Sequence, residues 1–160
     1  MALSALLTSG CVSSDLSFRV DKRLKITSPH NRATVRLPVT LSWTIRDFQV
    51  RTTTDGGGGS FGVFVDRSPV PPGKPLSWLA RHDTECASAP RCPDTAYFAR
   101  LGVYETTDTE LTLTTIPEDD PTSTDETSRH SATIVLLDDQ GRRIGEIGYH
   151  VDFELKRKGS

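Results

Sequence analysis

No apolar run in this sequence reaches the roughly 18 to 20 residues that a membrane-spanning helix needs. His-Glu-x-x-His is missing, so no zincin helix is legible. Gly56 to Gly59 could cradle a phosphate, but no Gly-Lys-Ser/Thr follows to open a helix, which excludes a P-loop. That stretch reads as a flexible connection. An excess of one charge is absent too. Nineteen Lys and Arg against 21 Asp and Glu leave a formal net charge of -2, and the basic residues are scattered. Such a balance lacks the electrostatic footprint of a nucleic-acid binder. Lys156-Arg157-Lys158 reads as a solvated tail. No segment shows a convincing amphipathic helical period, and only one methionine is present.

What is present is strand patterning. From Ile147, Tyr149, Val151, Phe153 and Leu155 alternate strictly with Gly148, His150, Asp152, Glu154 and Lys156. Successive strand side chains face opposite sides, so this segment has one buried face and one wet face. It reads as a strand from Arg142 to Leu155, joined by a tight turn at Asp139-Gln140-Gly141 to a partner from His130 to Asp138. In that partner Ile134, Val135, Leu136 and Leu137 run together, as in a strand covered on both faces. Upstream, Leu16 to Ile26 reads as an edge strand guarded by Arg19, Asp21, Arg23 and Lys25. Val35 to Ile45 is the cleanest strand of the N-terminal half, with Pro38 at a strand start or bulge. Phe61 to Val65, Tyr97 to Glu105 and Glu110 to Ile116 complete the set. Between Leu76 and Asp94 the pattern dissolves into an irregular insertion. Turn signals between short strands predict an all-β fold, an antiparallel β-sandwich of about seven to nine strands. Trp43 is expected between its sheets. The length suits one domain, residues 16-158, preceded by an arm or signal-like segment, 1-15.

The cysteines are Cys11, Cys86 and Cys92. Cys86-Ala-Ser-Ala-Pro-Arg-Cys92 is a short polar loop in which a local disulfide is plausible and would contribute about 2 kcal/mol in the chain-entropy model. That pairing leaves Cys11 odd, and both features suit an oxidising, extracytoplasmic place. A zinc site lacks a second ligand pair at finger-like spacing, although His82 stands four residues before Cys86. The acidic loop Glu118 to Glu126 offers Asp119, Asp120, Asp125 and Glu126 to calcium but lacks the spacing and glycine of an EF-hand loop; it reads as solvated.

The segment ending in Ser9-Gly10-Cys11 resembles the lipobox of bacterial lipoproteins, and implies an acylated Cys11 on a surface lipoprotein of actinobacterial type. Thr8 departs from the usual large aliphatic residue, and the basic leader is missing. The chain from about residue 24 to 155 resembles a bacterial immunoglobulin-like domain. The residues behind this are Ile26-Thr-Ser-Pro29, Val39-Thr-Leu-Ser-Trp43, Phe61-Gly-Val-Phe-Val-Asp66, His130 to Asp138 and the closing strand to Phe153. The resemblance implies a non-enzymatic structural or binding module exposed at a surface, with no catalytic residues to carry over.

The expected function is therefore an envelope-anchored module that engages a protein or cell-surface partner and meets the membrane only through a lipid anchor. A structural subunit of a virion or secretion assembly is the alternative, and a hydrolase the second. No cofactor, metal site or nucleic-acid partner is expected. His30, His82, His130 and His150 fall in no catalytic pattern; His130 is read at a strand start and His150 on a polar face, where a surface role suffices. The expected contact surface is the insertion, through Trp78, Leu79, Arg81, His82 and Arg91, because Trp and Arg are enriched at interface hot spots.

Overall fold

The computed structural model describes residues 22–51, 57–117 and 125–156. Cys11, the expected strand residues Leu16 to Val20, Gly56, and the acids Glu118, Asp119 and Asp120 lie outside the described residues.

Among the described residues eight strands fall into two sheets. β1 (Leu24–Ser28), β3 (Val39–Ile45) and β6 (Glu110–Leu113) form one, in the order β1-β3-β6. The other has the order β2-β8-β7-β4-β5, from β2 (Ala33–Val35), β4 (Ser60–Val65), β5 (Val103–Thr106), β7 (Thr127–Leu137) and β8 (Tyr149–Lys156). All pairings are antiparallel except β2 beside β8. The chain thus remains mostly β, as the alternation predicts.

Both sheets feed one apolar cluster. Leu24, Val39, Leu41, Trp43 and Leu113 come from the first sheet; Phe61, Val63, Ile134, Leu136, Val151, Phe153 and Leu155 come from the second. Trp43 meets Phe61 edge-on, with ring centroids 5.3 Å apart. Of the predicted inward residues Val151, Phe153 and Leu155 are buried, Tyr149 is half-buried and Ile147 precedes the strand; His150 and Asp152 are exposed opposite them. Close approach dictates one glycine. A Cβ on Gly59 would lie 2.0 Å from the carbonyl oxygen of Leu137, so only hydrogen fits where β4 begins against β7.

β7 explains its own sequence. Its first seven residues alternate in burial, whereas Ile134 to Leu137 are all buried. Ile134 and Leu136 face the shared cluster. Val135 and Leu137 face outward and are covered by a second cluster with Phe64, Val70, Leu76 and Val103. The cover is the insertion. It folds into a 3-10 turn (Leu76–Ala80) and two short helices, α1 (Thr84–Ser88) and α2 (Thr95–Arg100), with Trp78, Leu79, Phe98 and Leu101 resting on that cluster.

Four expectations need correction. Tyr97 to Glu105 is not one strand: Asp94 caps a helix through its bond to the Tyr97 N–H, and the strand begins only at Val103. The insertion is not irregular, since capped turns order it. The segment from Val35 to Ile45 is two strands in different sheets, with Pro38 immediately before the second, the place its missing N–H permits. The final strand begins at Tyr149 rather than Arg142. The hairpin does close around Asp138, whose Oδ1 accepts from the N–H groups of Gln140 and Arg142. Arg143 still pairs with Leu137 and the Ile144 N–H donates to the Leu136 carbonyl at 2.8 Å before the chain leaves the ladder. Arg143 bonds backbone-to-backbone with Gly73 and Lys74, and its guanidinium donates to the carbonyls of Val70 and Glu146. Burial pulls the Arg143 pKa below its ordinary value.

Candidate functional site

The insertion begins at the proline-rich turn after β4, where Val70 and Leu76 enter the second cluster. The 3-10 turn then sets Trp78 and Leu79 half-buried on the same cluster. The outer face of the indole is not bare. The Arg81 guanidinium carbon lies 3.2 Å from the ring centroid, and Nη1 donates to the Trp78 carbonyl at 3.0 Å. A cation over an indole at an exposed site contributes roughly 0.5–1 kcal/mol. Trp78 is therefore support below and platform above. Arg81 and His82 are exposed beside it. Arg91 is exposed in the cysteine loop, in the left-handed region at φ 68°.

Discrete polar anchors hold this layer. Asp83 caps α1: its Oδ1 accepts from the Cys86 N–H at 2.9 Å, and its Oδ2 accepts from the Tyr97 hydroxyl at 3.0 Å. One carboxylate thus ties α1 to α2. The Cys86 N–H, then the Tyr97 hydroxyl, hold the Asp83 pKa below the usual carboxylate value. Burial, then the bond to Asp83, pushes the Tyr97 phenol up. Cys86 and Cys92 stand at bonding distance with Cα atoms 5.1 Å apart, inside the range disulfides adopt. The expected pair of thiols is therefore brought together.

His130 departs from its expected surface position. β7 starts three residues earlier than the pattern suggests, and His130 falls in phase with Ala132, Ile134 and Leu136, only 6% exposed and tilted against Phe153. A buried imidazole needs polar partners. Asp66, directly after β4, supplies one: its Oδ2 lies 2.6 Å from His130 Nδ1, while its Oδ1 accepts from the Ser131 N–H at 2.7 Å. Ser128, two residues along the same face, places its Oγ 2.8 Å from Nε2. A carboxylate only accepts, so Nδ1 donates to Asp66, and Nε2 stands within hydrogen-bond reach of the serine hydroxyl. Ser128, His130 and Asp66 therefore form a continuous array that sequence motifs do not show. The available signals were the phase of His130 and the position of Asp66 at the end of an apolar strand.

Two shallow grooves lie elsewhere. One of ≈ 260 Å³ runs between β1 and β8 beside His30 and His150; the other, ≈ 460 Å³, runs between the edges β5 and β6 beside Tyr104 and Arg100. Among the described residues no three His, Cys, Asp or Glu side chains are grouped to hold a metal ion, and no helix is long and apolar enough to cross a membrane. No family model, curated protein or solved structure matches the chain.

Proposed function

We propose that the chain is an immunoglobulin-like β-sandwich that serves as a surface-exposed structural or binding module, anchored to the cell envelope through an acylated Cys11. Strand connectivity supports the fold. The pairs β3–β6, β4–β7 and β7–β8 correspond to those that join strands B and E, C and F, and F and G in constant-type immunoglobulin domains. The cysteine pair supports an oxidising compartment.

The observation that carries the binding reading is the Arg81–Trp78 stack on an ordered outer layer. The layer covers the second cluster from one side and offers Arg81, His82 and Arg91 on the other. Binding residues are commonly held on loops positioned by a rigid scaffold. The surface suits a protein partner with acidic and aromatic groups, and no catalysis is assigned to it.

Two measurements test this. Intact mass of the protein purified from its native host should show a chain that begins at an acylated Cys11; an intact Met1 with a free Cys11 contradicts anchoring. Arg81→Ala should lower the melting temperature by at most about 2–4 °C, the shift that loss of about 1 kcal/mol produces in a domain of this size. It should nevertheless reduce crosslinking of the native protein to its envelope neighbours. Unchanged crosslinking contradicts the assignment of this face.

A further inference from the structure

The geometry points to a second property, independent of the docking face: Ser128 is an activated hydroxyl nucleophile, with His130 as its base and Asp66 as the positioning residue. Ser128 and His130 on β7 and Asp66, directly after β4 and 64 positions before His130, converge with hydrogen-bond distances throughout: Ser128 Oγ to His130 Nε2 at 2.8 Å and His130 Nδ1 to Asp66 Oδ2 at 2.6 Å. A nucleophile within reach of a base, itself oriented by a third group, is how such sites are recognised, whatever the fold or chain order. Asp66 has little freedom. Its second oxygen is held by the Ser131 N–H at 2.7 Å, and its own N–H donates to the Ser131 carbonyl at 3.0 Å. Its backbone sits in the left-handed region at φ 51°, a conformation that L residues seldom hold without support. The imidazole is 6% exposed and packs on Phe153, so its tautomer and orientation are set by protein rather than by water. Ser128 is half-buried, more open than His130 on the same strand.

Asp66 and Ser128 each stand within hydrogen-bond reach of one ring nitrogen of the buried histidine. The same bonds have a chemical consequence. A hydroxyl bonded to the lone pair of a neutral imidazole loses its proton as it attacks. The surroundings choose the electrophile. The cross-strand neighbour of Ser128 is Leu155, which is buried, so the floor is apolar and suits a small uncharged acyl ester. The Ser128 Oγ would form a bond to the acyl carbon and pass its proton to His130 Nε2. The bond to the leaving oxygen breaks as that oxygen takes the proton from Nε2. Water repeats the sequence, releasing the carboxylic acid and restoring Ser128.

The test uses the full chain and a small dialkyl fluorophosphate. The Oγ–P bond forms, the P–F bond breaks, fluoride leaves and the proton passes to His130. Intact mass and peptide mapping should place a single adduct on Ser128, absent in Ser128→Ala and absent when the wild-type chain is unfolded in urea. Asp66→Asn should slow labelling by ~10³-fold or more, as a misoriented imidazole does. It should also flatten the rise of labelling rate with pH that a single base produces. His130 variants are avoided because a buried site tolerates them poorly. A native wild-type chain that gains no adduct, an adduct that persists in Ser128→Ala, or an Asp66→Asn rate equal to wild type would each overturn the proposal and leave the array a structural latch.

Discussion

The two faces of the five-stranded sheet are covered by different means. On the inner face, Phe61, Val63, Ile134, Leu136, Val151 and Phe153 meet the three-stranded sheet in one apolar cluster. On the outer face, Val135, Leu137 and Phe64 meet a layer of short helices fastened by Asp83, Asp94, Tyr97 and a cysteine pair. The inner face is an area-driven contact, in which many residues contribute a little each. The outer layer adds a few directional bonds to a smaller apolar contact. Losses on the inner face should therefore reach the whole molecule, whereas losses on the outer face should remain local.

The largest effect belongs to the inner face. Phe153→Ala removes a ring 1% exposed, and such truncations cost about 3–5 kcal/mol. Urea unfolding monitored by Trp43 fluorescence should register that cost; a loss below about 1 kcal/mol would put Phe153 on the periphery and blur the distinction. Asp94→Ala tests the outer layer. Loss of an N-cap costs about 1 kcal/mol. Here the expected signature is faster hydrogen exchange over Thr95–Arg100 without a matching change in β7. Equal acceleration in β7 would merge the two regions.

A smaller effect follows from pH. The Asp83 pKa is lowered in the folded chain, so its contribution is complete above the unfolded carboxylate value and is lost as pH falls through the depressed folded value. The Tyr97 pKa is raised, so its contribution is complete below the unfolded phenol value and is lost as pH climbs through the raised one. The insertion should thus loosen at both pH extremes. Asp83→Asn should remove the acid limb, which exchange over Thr84–Arg100 can follow. An acid limb that survives in Asp83→Asn would assign it to another group.

These differences also explain what could be read from the chain. Residues of the inner face repeat every second position, so Val151, Phe153 and Leu155 were legible as core and His150 and Asp152 as surface. Ile134 to Leu137 announced a strand covered on both faces without saying by what. The cover was illegible because capping leaves no period. Asp94 serves α2 through one bond to Tyr97, and six residues of helix are too few to display an amphipathic repeat. Cys86 and Cys92 were readable as a pair from spacing alone. The Ser128–His130–Asp66 array was hidden for another reason: Asp66 and His130 meet only through the β4–β7 pairing, and a histidine in an alternating strand looks the same whether it starts the strand or lies inside it.

The insertion is an ordered layer docked on a sheet that stands without it. Native-state hydrogen exchange, with and without reduction of Cys86 and Cys92, tests it most directly. In the oxidised protein, amides of Thr84–Ser88 and Thr95–Arg100 should exchange more slowly than an unstructured chain. After reduction they should accelerate at least tenfold, while Ile134 and Val135 amides hold their rates. Random-coil exchange in the oxidised insertion, or an equal acceleration at Ile134 and Val135, would contradict it.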